Sequence, residues 1–317
     1  MSAPYSPRPH RRARIQLLLG YLPLLVIAAA VLVVLAVRLA PARAELSRAG
    51  TVAQARVVAT GQAPDGRGLR VSIDAGGTPR TGVLVLPGPS AVALGTRFPV
   101  SYDPRSPVDR TAVHVPGDAT DQRVRNTFFG LIVVVAVLLA ATVLTGLRLL
   151  SRPRLRRAPV TEVTATRFGV RQGLLVRSWL ELVTARGVRW VPVHWSQELA
   201  RLGPGSLIGV HGRPERGRLV LPVADGAEIW PSGRVRSRAP RGERRQADPD
   251  PESSGTWGRQ LRGDAVGLVV APVLGLLWAY LDGSGAGGFA VATVVAAAAL
   301  FWLAQLLGSD PAPPDRG

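Results

Sequence analysis

The sequence contains no cysteine and no lysine, and Asn126 is its only asparagine. Without cysteine the chain has no disulfide, no zinc-thiolate site and no thiol nucleophile. It also lacks a nucleophile elbow, a phosphate-binding loop and an HExxH helix. We therefore predict that the chain is not an enzyme, that it has no catalytic residue, and that it binds no cofactor or metal.

All 39 basic residues are arginines, against 21 acidic residues, which gives a formal net charge of +18. In a soluble protein such an excess would suggest nucleic-acid binding. The Ala, Gly, Pro and Val content is that of a GC-rich genome, which also favours Arg over Lys. Many of the arginines flank apolar segments, where they would meet anionic lipid. We therefore expect no nucleic-acid partner.

Charge is scarce as well, at 19% of residues, and four apolar runs carry none. A bilayer core of roughly 30 Å requires about 20 apolar residues in a helix. The runs predict transmembrane helices at residues 15–37, 128–148, 264–282 and 286–307, each ending at or near charged residues. Because no charged residue lies inside the apolar runs, transport through a charged intramembrane site is not expected.

The runs have two other interpretations, a cleaved signal peptide for the first and buried core helices. Residues 42–44, Ala-Arg-Ala, have the pattern of a signal-peptide cleavage site, but the first run exceeds the roughly 7–15 residues of a signal-peptide core. Buried core helices would explain the apolar content, although the clean charged flanks favour membrane spans. We expect an uncleaved anchor.

Arginine placement predicts the orientation, because basic residues favour the cytoplasmic side. Arg8, Arg11, Arg12 and Arg14 precede the first span, and five arginines follow the second. The turn after the third span has no basic residue. This predicts a multi-pass protein of the plasma membrane with both termini in the cytoplasm, although Arg38, Arg43 and Arg48 after the first span compete with this arrangement.

The region between the first two spans predicts about five short strands, each bounded by Gly, Pro or Asp turn residues. A small barrel or sandwich fits that number. The predicted strands are residues 51–60, 69–74, 82–86, 98–102 and 111–115.

Residues 95–107, Gly-Thr-Arg-Phe-Pro-Val-Ser-Tyr-Asp-Pro-Arg-Ser-Pro, resemble the end of the β-domain in the domain of unknown function 3592 family, and Val52, Val57 and Val58 match its opening strand. These are multi-pass bacterial membrane proteins with a small β-domain between two spans. The present sequence resembles the actinobacterial type of this family. The resemblance covers residues 15–148 and implies fold and topology without a catalytic residue. The matching segment contains the tripeptide Tyr102, Asp103 and Pro104. We interpret this tripeptide as a turn or as a recognition site for a cell-wall or lipid group.

Residues 160–234 predict a second all-β domain, with a short helix at residues 196–202. The predicted strands are residues 174–177, 180–184, 188–193, 207–210 and 218–222. Leu202, Gly203 and Val210 echo Leu94, Gly95 and Val100, which suggests either a diverged internal repeat or convergent turn chemistry. Four tryptophans here could stack nucleic-acid bases or fill the core, and we favour the core. His194 and His211 suggest a strand face and a turn rather than a metal site.

Residues 231–263 are poor in apolar residues and predict a disordered, Arg-rich linker. Its basic half either contacts anionic lipid or is simply solvated. The arginines concerned are Arg234, Arg236, Arg238 and Arg241.

Small residues recur every four positions along the third span, at Gly267, Ala271, Gly275 and Ala279. This predicts a helix-packing face. The fold class is therefore an α+β membrane protein with four transmembrane helices and two small all-β domains. The predicted division is a basic N-terminus (1–14), a span (15–37), an extracytoplasmic β-domain (38–127), a span (128–148), a cytoplasmic β-domain (149–230), a linker (231–263), two spans (264–282 and 286–307) and a cytoplasmic tail (308–317).

The function expected from these features is a membrane-anchored binding or envelope-associated module. Its partners would be the bilayer and an unknown protein. The alternative is an accessory subunit of a transporter or channel.

Overall fold

The computed structural model describes residues 11–62, 66–77, 79–88, 91–249 and 255–311, and within them the chain is an α+β protein. It divides into two compact units. One unit combines Met1–Ala28 with Val137–Gly317, and the other is Ala29–Ala136. The basic residue Arg8, the acidic residues Asp250 and Glu252 and most of the predicted tail lie outside the described residues.

Four helical segments are long and apolar enough to cross a membrane. The first is helix α1, the second contains α2, the third combines α4 and α5, and the fourth is α6. All four extend beyond the charge-free runs that predicted them. The helices are α1 (Arg11–Arg48), α2 (Ala119–Arg154), α3 (Gln197–Arg201), α4 (Trp257–Ala265), α5 (Ala271–Asp282) and α6 (Gly285–Leu307).

The third candidate span is not one regular α-helix. Helix α4 passes into a 3₁₀ segment, Val266–Val270, before α5 begins with a proline in its first turn. Proline has no backbone N–H to continue the α-helical hydrogen bonds, and a tighter 3₁₀ turn is a common way to join two helical pieces. The span therefore has a built-in change of helix geometry before Pro272.

A closed five-stranded barrel, the first β-domain, lies in the unit Ala29–Ala136. Its core is formed by inward positions of the strands, among them Val57, Val71, Ile73 and Val100, all nearly inaccessible. The five predicted strands are confirmed. They are β1 (Thr51–Thr60), β2 (Gly68–Asp74), β3 (Pro79–Val85), β4 (Arg97–Tyr102) and β5 (Thr111–His114).

Strand β1 pairs with both β2 and β4, and the barrel closes through parallel pairing of β3 with β5. The register of β1 shifts between Val57 and Ala59, and such a bulge bends a strand so that it can serve two neighbours. The strands follow one another around the closed barrel in the order β1-β2-β3-β5-β4.

A second β-domain lies in the other unit, as a seven-stranded sheet. Counted along the chain, its first strand pairs with both the second and the fourth strand, as in the first barrel. The second strand pairs with the third, and the fourth strand pairs with the fifth. This connectivity matches the first barrel and supports an internal repeat. The strands are β6 (Val160–Gln172), β7 (Leu175–Thr184), β8 (Gly187–Val193), β9 (Ser206–His211), β10 (Leu221–Ala224), β11 (Ala227–Glu228) and β12 (Glu243–Gln246).

The two sheets differ where the barrel would close. In the second β-domain the edge of β8 meets Pro231 and Arg236, which follow β11. The backbone N–H of Arg236 donates to the carbonyl of Trp190, and the N–H of Trp190 donates in return, both at 2.8 Å. The segment after β11 therefore covers an edge that parallel pairing covers in the first barrel.

The interpretation of residues 231–263 as a disordered linker is wrong for its described part. Pro231 and Ser232 are buried, residues 243–246 form β12 on β6, and α4 begins at Trp257. Low apolar content did not prevent order here, because backbone hydrogen bonds to an existing sheet supply the stabilisation.

The second β-domain packs directly on helical segments of its own unit. Leu221 of β10 and Trp230, two residues after β11, share a buried cluster with Leu17 of α1 and with Trp302 and Leu306 of α6. Arg156 pairs with the buried Glu228, with 2.9 Å between Nη2 and Oε2. The sheet is therefore held at the ends of helices that are apolar enough to span a membrane.

Candidate functional site

The segment that follows β11 forms one wall of an open groove with a volume of about 580 Å³. The end of β6 contributes Gln172 to the opposite side, and its Nε2 donates to the carbonyl of Arg241 at 2.8 Å. The groove is therefore built on backbone that the sheet fixes. Its lining residues are Gln172, Val235, Arg236, Ser237, Arg238, Ala239 and Arg241.

Gly242 allows this wall to approach β6. Its φ is +114°, and a Cβ at this position would lie 2.1 Å from the carbonyl oxygen of Arg171. Only glycine meets both the backbone angle and the close approach. Strand β12 follows at once and pairs with β6 from Arg171 to Phe168.

Three arginine side chains give the groove its positive charge. Arg236, Arg238 and Arg241 are all exposed, and none of them forms an ion pair with a carboxylate of the described residues. Like charges held close together repel, so a bound anion would relieve that repulsion. Arg234, which the sequence grouped with them, is also exposed but does not line the groove.

Beneath the groove, two guanidinium groups lie against one indole ring. The Cζ of Arg236 is 5.1 Å from the centroid of Trp179, and that of Arg177 is 5.3 Å away. Burial, followed by repulsion from Arg236, lowers the pKa of the Arg177 guanidinium to about 10. Arg177 therefore remains charged near neutral pH, and the ring contacts both guanidinium groups at cation–π distance.

The tryptophans of the second β-domain are core residues, as predicted. Trp179, Trp195 and Trp230 are at most 2% exposed and Trp190 is 5% exposed. Trp190 packs against Phe168, with ring centroids 5.2 Å apart. No face of these four rings is open for base stacking.

The two histidines of this domain make contacts that are typical of structural residues. His194 is fully buried, with its Nδ1 3.3 Å from Oε1 of Gln16. His211 donates from Nδ1 to the carbonyl of Ala158 at 3.0 Å. Among the described residues, no group of three His, Asp or Glu side chains is placed to hold a metal ion.

The Tyr102, Asp103 and Pro104 corner of the first β-domain has the geometry of a turn. Asp103 Oδ1 accepts the backbone N–H of Arg105 at 2.9 Å, which is the Asx-turn pattern. The Tyr102 ring is 6% exposed and belongs to the barrel core, with the guanidinium of Arg80 5.9 Å from its centroid. A ring buried in this way offers little surface for recognition.

The four predicted packing positions of the third span differ in burial and in how closely they approach α6. Ala271 and Gly275 are buried, and a Cβ on Gly275 would lie 2.0 Å from Thr293 Oγ1 of α6. Ala279 is half-buried. A Cβ on Gly267 would meet nothing within 4 Å. The close approach to α6 is therefore centred on Gly275.

A buried polar network at the helix ends was not foreseen from the sequence. Ser309 Oγ donates to Asp264 at 3.0 Å, and Gln305 Nε2 donates to the same carboxylate oxygen. Gln16 and Gln260 each donate to Ser309. These residues are far apart in the chain, so no local spacing could have identified them.

A second cluster missed by sequence reasoning lies in the unit Ala29–Ala136. His114 is 6% exposed, and its ring lies between two carboxylates. Its Nδ1 is 2.8 Å from Asp118 Oδ2, and its Nε2 is 3.4 Å from Glu45 Oε1. The hydrogen bond to Asp118 is the main cause that raises the pKa of His114, and burial opposes it.

Comparison with family models, with curated proteins and with solved structures finds no match for this chain. The resemblance to the domain of unknown function 3592 family therefore stays a prediction.

Proposed function

We propose that the chain is a multi-pass protein of the plasma membrane, without catalytic activity, that binds an anionic ligand in the arginine groove of its second β-domain. The observation that carries the proposal is the set of three exposed arginines on fixed backbone, without carboxylate partners among the described residues. A backbone that is already fixed loses little conformational freedom on binding, which favours affinity.

Arginine suits this role better than lysine would. Its planar guanidinium carries five N–H donors and recognises phosphate or carboxylate through paired hydrogen bonds. Three such groups along one groove match a ligand that carries at least one phosphate or several carboxylates. A protein partner that presents acidic groups belongs to the same chemistry.

The orientation is part of the proposal. The arginines that precede the apolar run of α1 and those that follow the apolar run of α2 favour cytoplasmic placement of the N-terminus and of the second β-domain. Both termini are then cytoplasmic, and the ligand of the groove is a cytoplasmic or inner-leaflet anion. The anchoring helices supply attachment, and recognition belongs to the β-domain.

The test is protection of the purified full-length protein by inorganic pyrophosphate in a thermal unfolding assay, at constant ionic strength set with sodium chloride. A ligand that binds only the folded state raises the melting temperature, and the rise grows with the logarithm of the ligand concentration above its Kd. We expect protection for the wild type and its loss in the triple variant R236Q/R238Q/R241Q.

The matched control is R201Q/R213Q/R216Q, which removes three exposed arginines of the same domain that do not line the groove. This variant should retain full protection. Equal protection of all three proteins, or equal loss in both variants, would show that the groove is not the binding site.

An accessory subunit of a transporter or channel is the second candidate. The polar network around Asp264 favours it, because ionisable groups buried among apolar helices often serve transport. Flux of a small solute or proton into liposomes that contain only this protein, abolished by Asp264→Asn, would support this alternative.

A further inference from the structure

The hairpin between β6 and β7 places an apolar side chain next to the arginine groove. Leu174, at the tip of the hairpin, is 54% exposed. Gln172, which lines the groove, pairs with Leu175 on the other side of the same hairpin. An exposed leucine beside a basic rim is the arrangement by which peripheral domains insert into the headgroup layer.

The hairpin also lies at the level where α6 ends. Arg177 Nε donates to the carbonyl of Leu307, the last residue of α6, at 3.0 Å. The N–H of Asp310 donates to the carbonyl of Val176 at 2.9 Å. Leu174 is two residues from Val176, a distance of about 7 Å along a strand.

These positions place the groove near a membrane surface if α6 spans the bilayer. The polar region on each side of a bilayer is about 5–8 Å thick, the difference between the whole bilayer and its hydrocarbon core. Leu174 lies within that distance of Val176, whose carbonyl accepts from a residue that follows α6. The guanidinium of Arg236 shares the ring of Trp179 with Arg177, which contacts α6.

We propose that the hairpin tip and the arginine groove together form an interfacial site for the phosphate headgroup of an anionic phospholipid in the same membrane. The inference rests on the proposed anion-binding function and names its ligand. Leu174 enters the apolar boundary of the leaflet, and Arg236, Arg238 and Arg241 bind the phosphate. The lipid bridges the second β-domain and the bilayer.

The structure favours lipid over nucleic acid at this site. Proteins that bind single strands combine a basic groove with exposed aromatic rings, and the four tryptophans of this domain are buried. A lipid site requires only basic groups and an apolar contact beside them, which the hairpin supplies. Each basic residue near an anionic leaflet strengthens attraction about fivefold.

Native mass spectrometry of the full-length protein in detergent tests the inference. The probes are dioleoylphosphatidylglycerol and dioleoylphosphatidylcholine at equal concentration. We expect the wild type to prefer the anionic lipid and the variant R236Q/R238Q/R241Q to lose about tenfold or more of that preference. Leu174→Gln should bind both lipids several-fold more weakly and keep the preference, because the leucine contacts the apolar part that the two lipids share. R201Q/R213Q/R216Q should keep the wild-type preference.

Several outcomes would overturn the inference, and they differ from failure of the proposed function. Pyrophosphate protection without lipid preference would leave anion binding in place and refute the lipid ligand. Complete displacement of the lipid by millimolar inorganic phosphate would indicate a free anion as the ligand. Groove-dependent binding of a single-stranded oligonucleotide, without lipid preference, would indicate nucleic acid. If the triple variant does not fold, the single variants R238Q and R241Q replace it, and each must lose part of the preference for the anionic lipid.

Discussion

The carboxylate of Asp310 lies against the guanidinium of Arg167, with 3.2 Å between Oδ2 and Nη2, although 143 residues separate them. Both side chains are at most 5% exposed. Ser178 donates to the same carboxylate oxygen, and the Asp310 N–H pairs with β7. The residues that follow α6 are thus joined to the second β-domain through a buried ion pair.

Breaking this pair should be costly, because it leaves a charge buried without its counter-ion. We expect Asp310→Ala to lower the free energy of unfolding by about 3–5 kcal/mol. Denaturation in detergent, followed by tryptophan fluorescence, measures the change. Glu243→Ala is the control, since it breaks the exposed pair with Arg245 and should cost at most about 1 kcal/mol. Equal effects would show that the buried pair contributes no more than a surface contact.

Gly242 should be essential for the groove wall. We expect Gly242→Ala to separate β12 from β6, because the added methyl group meets the Arg171 carbonyl. Hydrogen exchange of the amides at residues 243–246 should become fast, and pyrophosphate protection should fall. Gly226→Ala is the matched control, with a positive φ of +78° but nothing within 4 Å of the new Cβ. It should cost only the backbone strain of about 1–2 kcal/mol and leave β12 paired.

The contact between α5 and α6 should depend on Gly275 and not on Gly267. Gly275→Val places atoms into Thr293 and the Phe289 carbonyl, and we expect a loss of about 1–3 kcal/mol, as for other overpacked sites. Gly267→Val meets open space and should be close to neutral. Thermal stability in one detergent compares the two. A larger loss at Gly267 would contradict the packing described here.

The His114 cluster predicts a pH-dependent barrel. The hydrogen bond to Asp118 raises the pKa of His114 above the usual value of about 6.5. Protonated His114 therefore stabilises the folded barrel fully below about pH 6.5. This stabilisation disappears as pH rises through the higher pKa of the folded state. Burial opposes ionisation of Asp118, but hydrogen bonds from His114 and from the Asp121 N–H lower its pKa below the ordinary value. The stability that ionised Asp118 contributes is therefore lost as pH falls through that lowered pKa.

The variant His114→Gln tests this expectation by hydrogen exchange of the barrel amides between pH 5 and pH 9, after correction for intrinsic rates. Its deficit relative to the wild type should be largest at the acidic end and should shrink as pH rises. The facing groups are Asp118 and the half-exposed Glu45, and Asp118→Asn should move the transition to lower pH. A deficit that does not change with pH would disprove the role of His114 ionisation.

The sequence predicted the first β-domain almost strand by strand, because Gly, Pro and Asp residues mark each turn and apolar residues alternate between them. It missed β6 as a strand. One of the inward positions of β6 holds Arg167, whose partner Asp310 is distant in sequence. An arginine at a core position hides the alternation on which strand prediction depends.

Strand β12 was missed for a different reason. All four of its residues are exposed and three are charged, so composition predicted disorder. Its order depends on backbone pairing with β6 and on the backbone conformation of Gly242. The three groove arginines were named from the sequence, but their arrangement around Gln172 follows from contacts that only the folded chain reveals.

The central claim, a membrane protein with its groove-bearing domain in the cytoplasm, can be tested directly because the chain has no native cysteine. Single cysteines at the exposed positions Gln62 and Arg201 report on the first and second β-domains through labelling of intact cells with a membrane-impermeant maleimide. We expect labelling of Gln62→Cys in intact cells and of Arg201→Cys only after permeabilisation. Labelling of Arg201→Cys in intact cells, with Gln62→Cys protected, would contradict it.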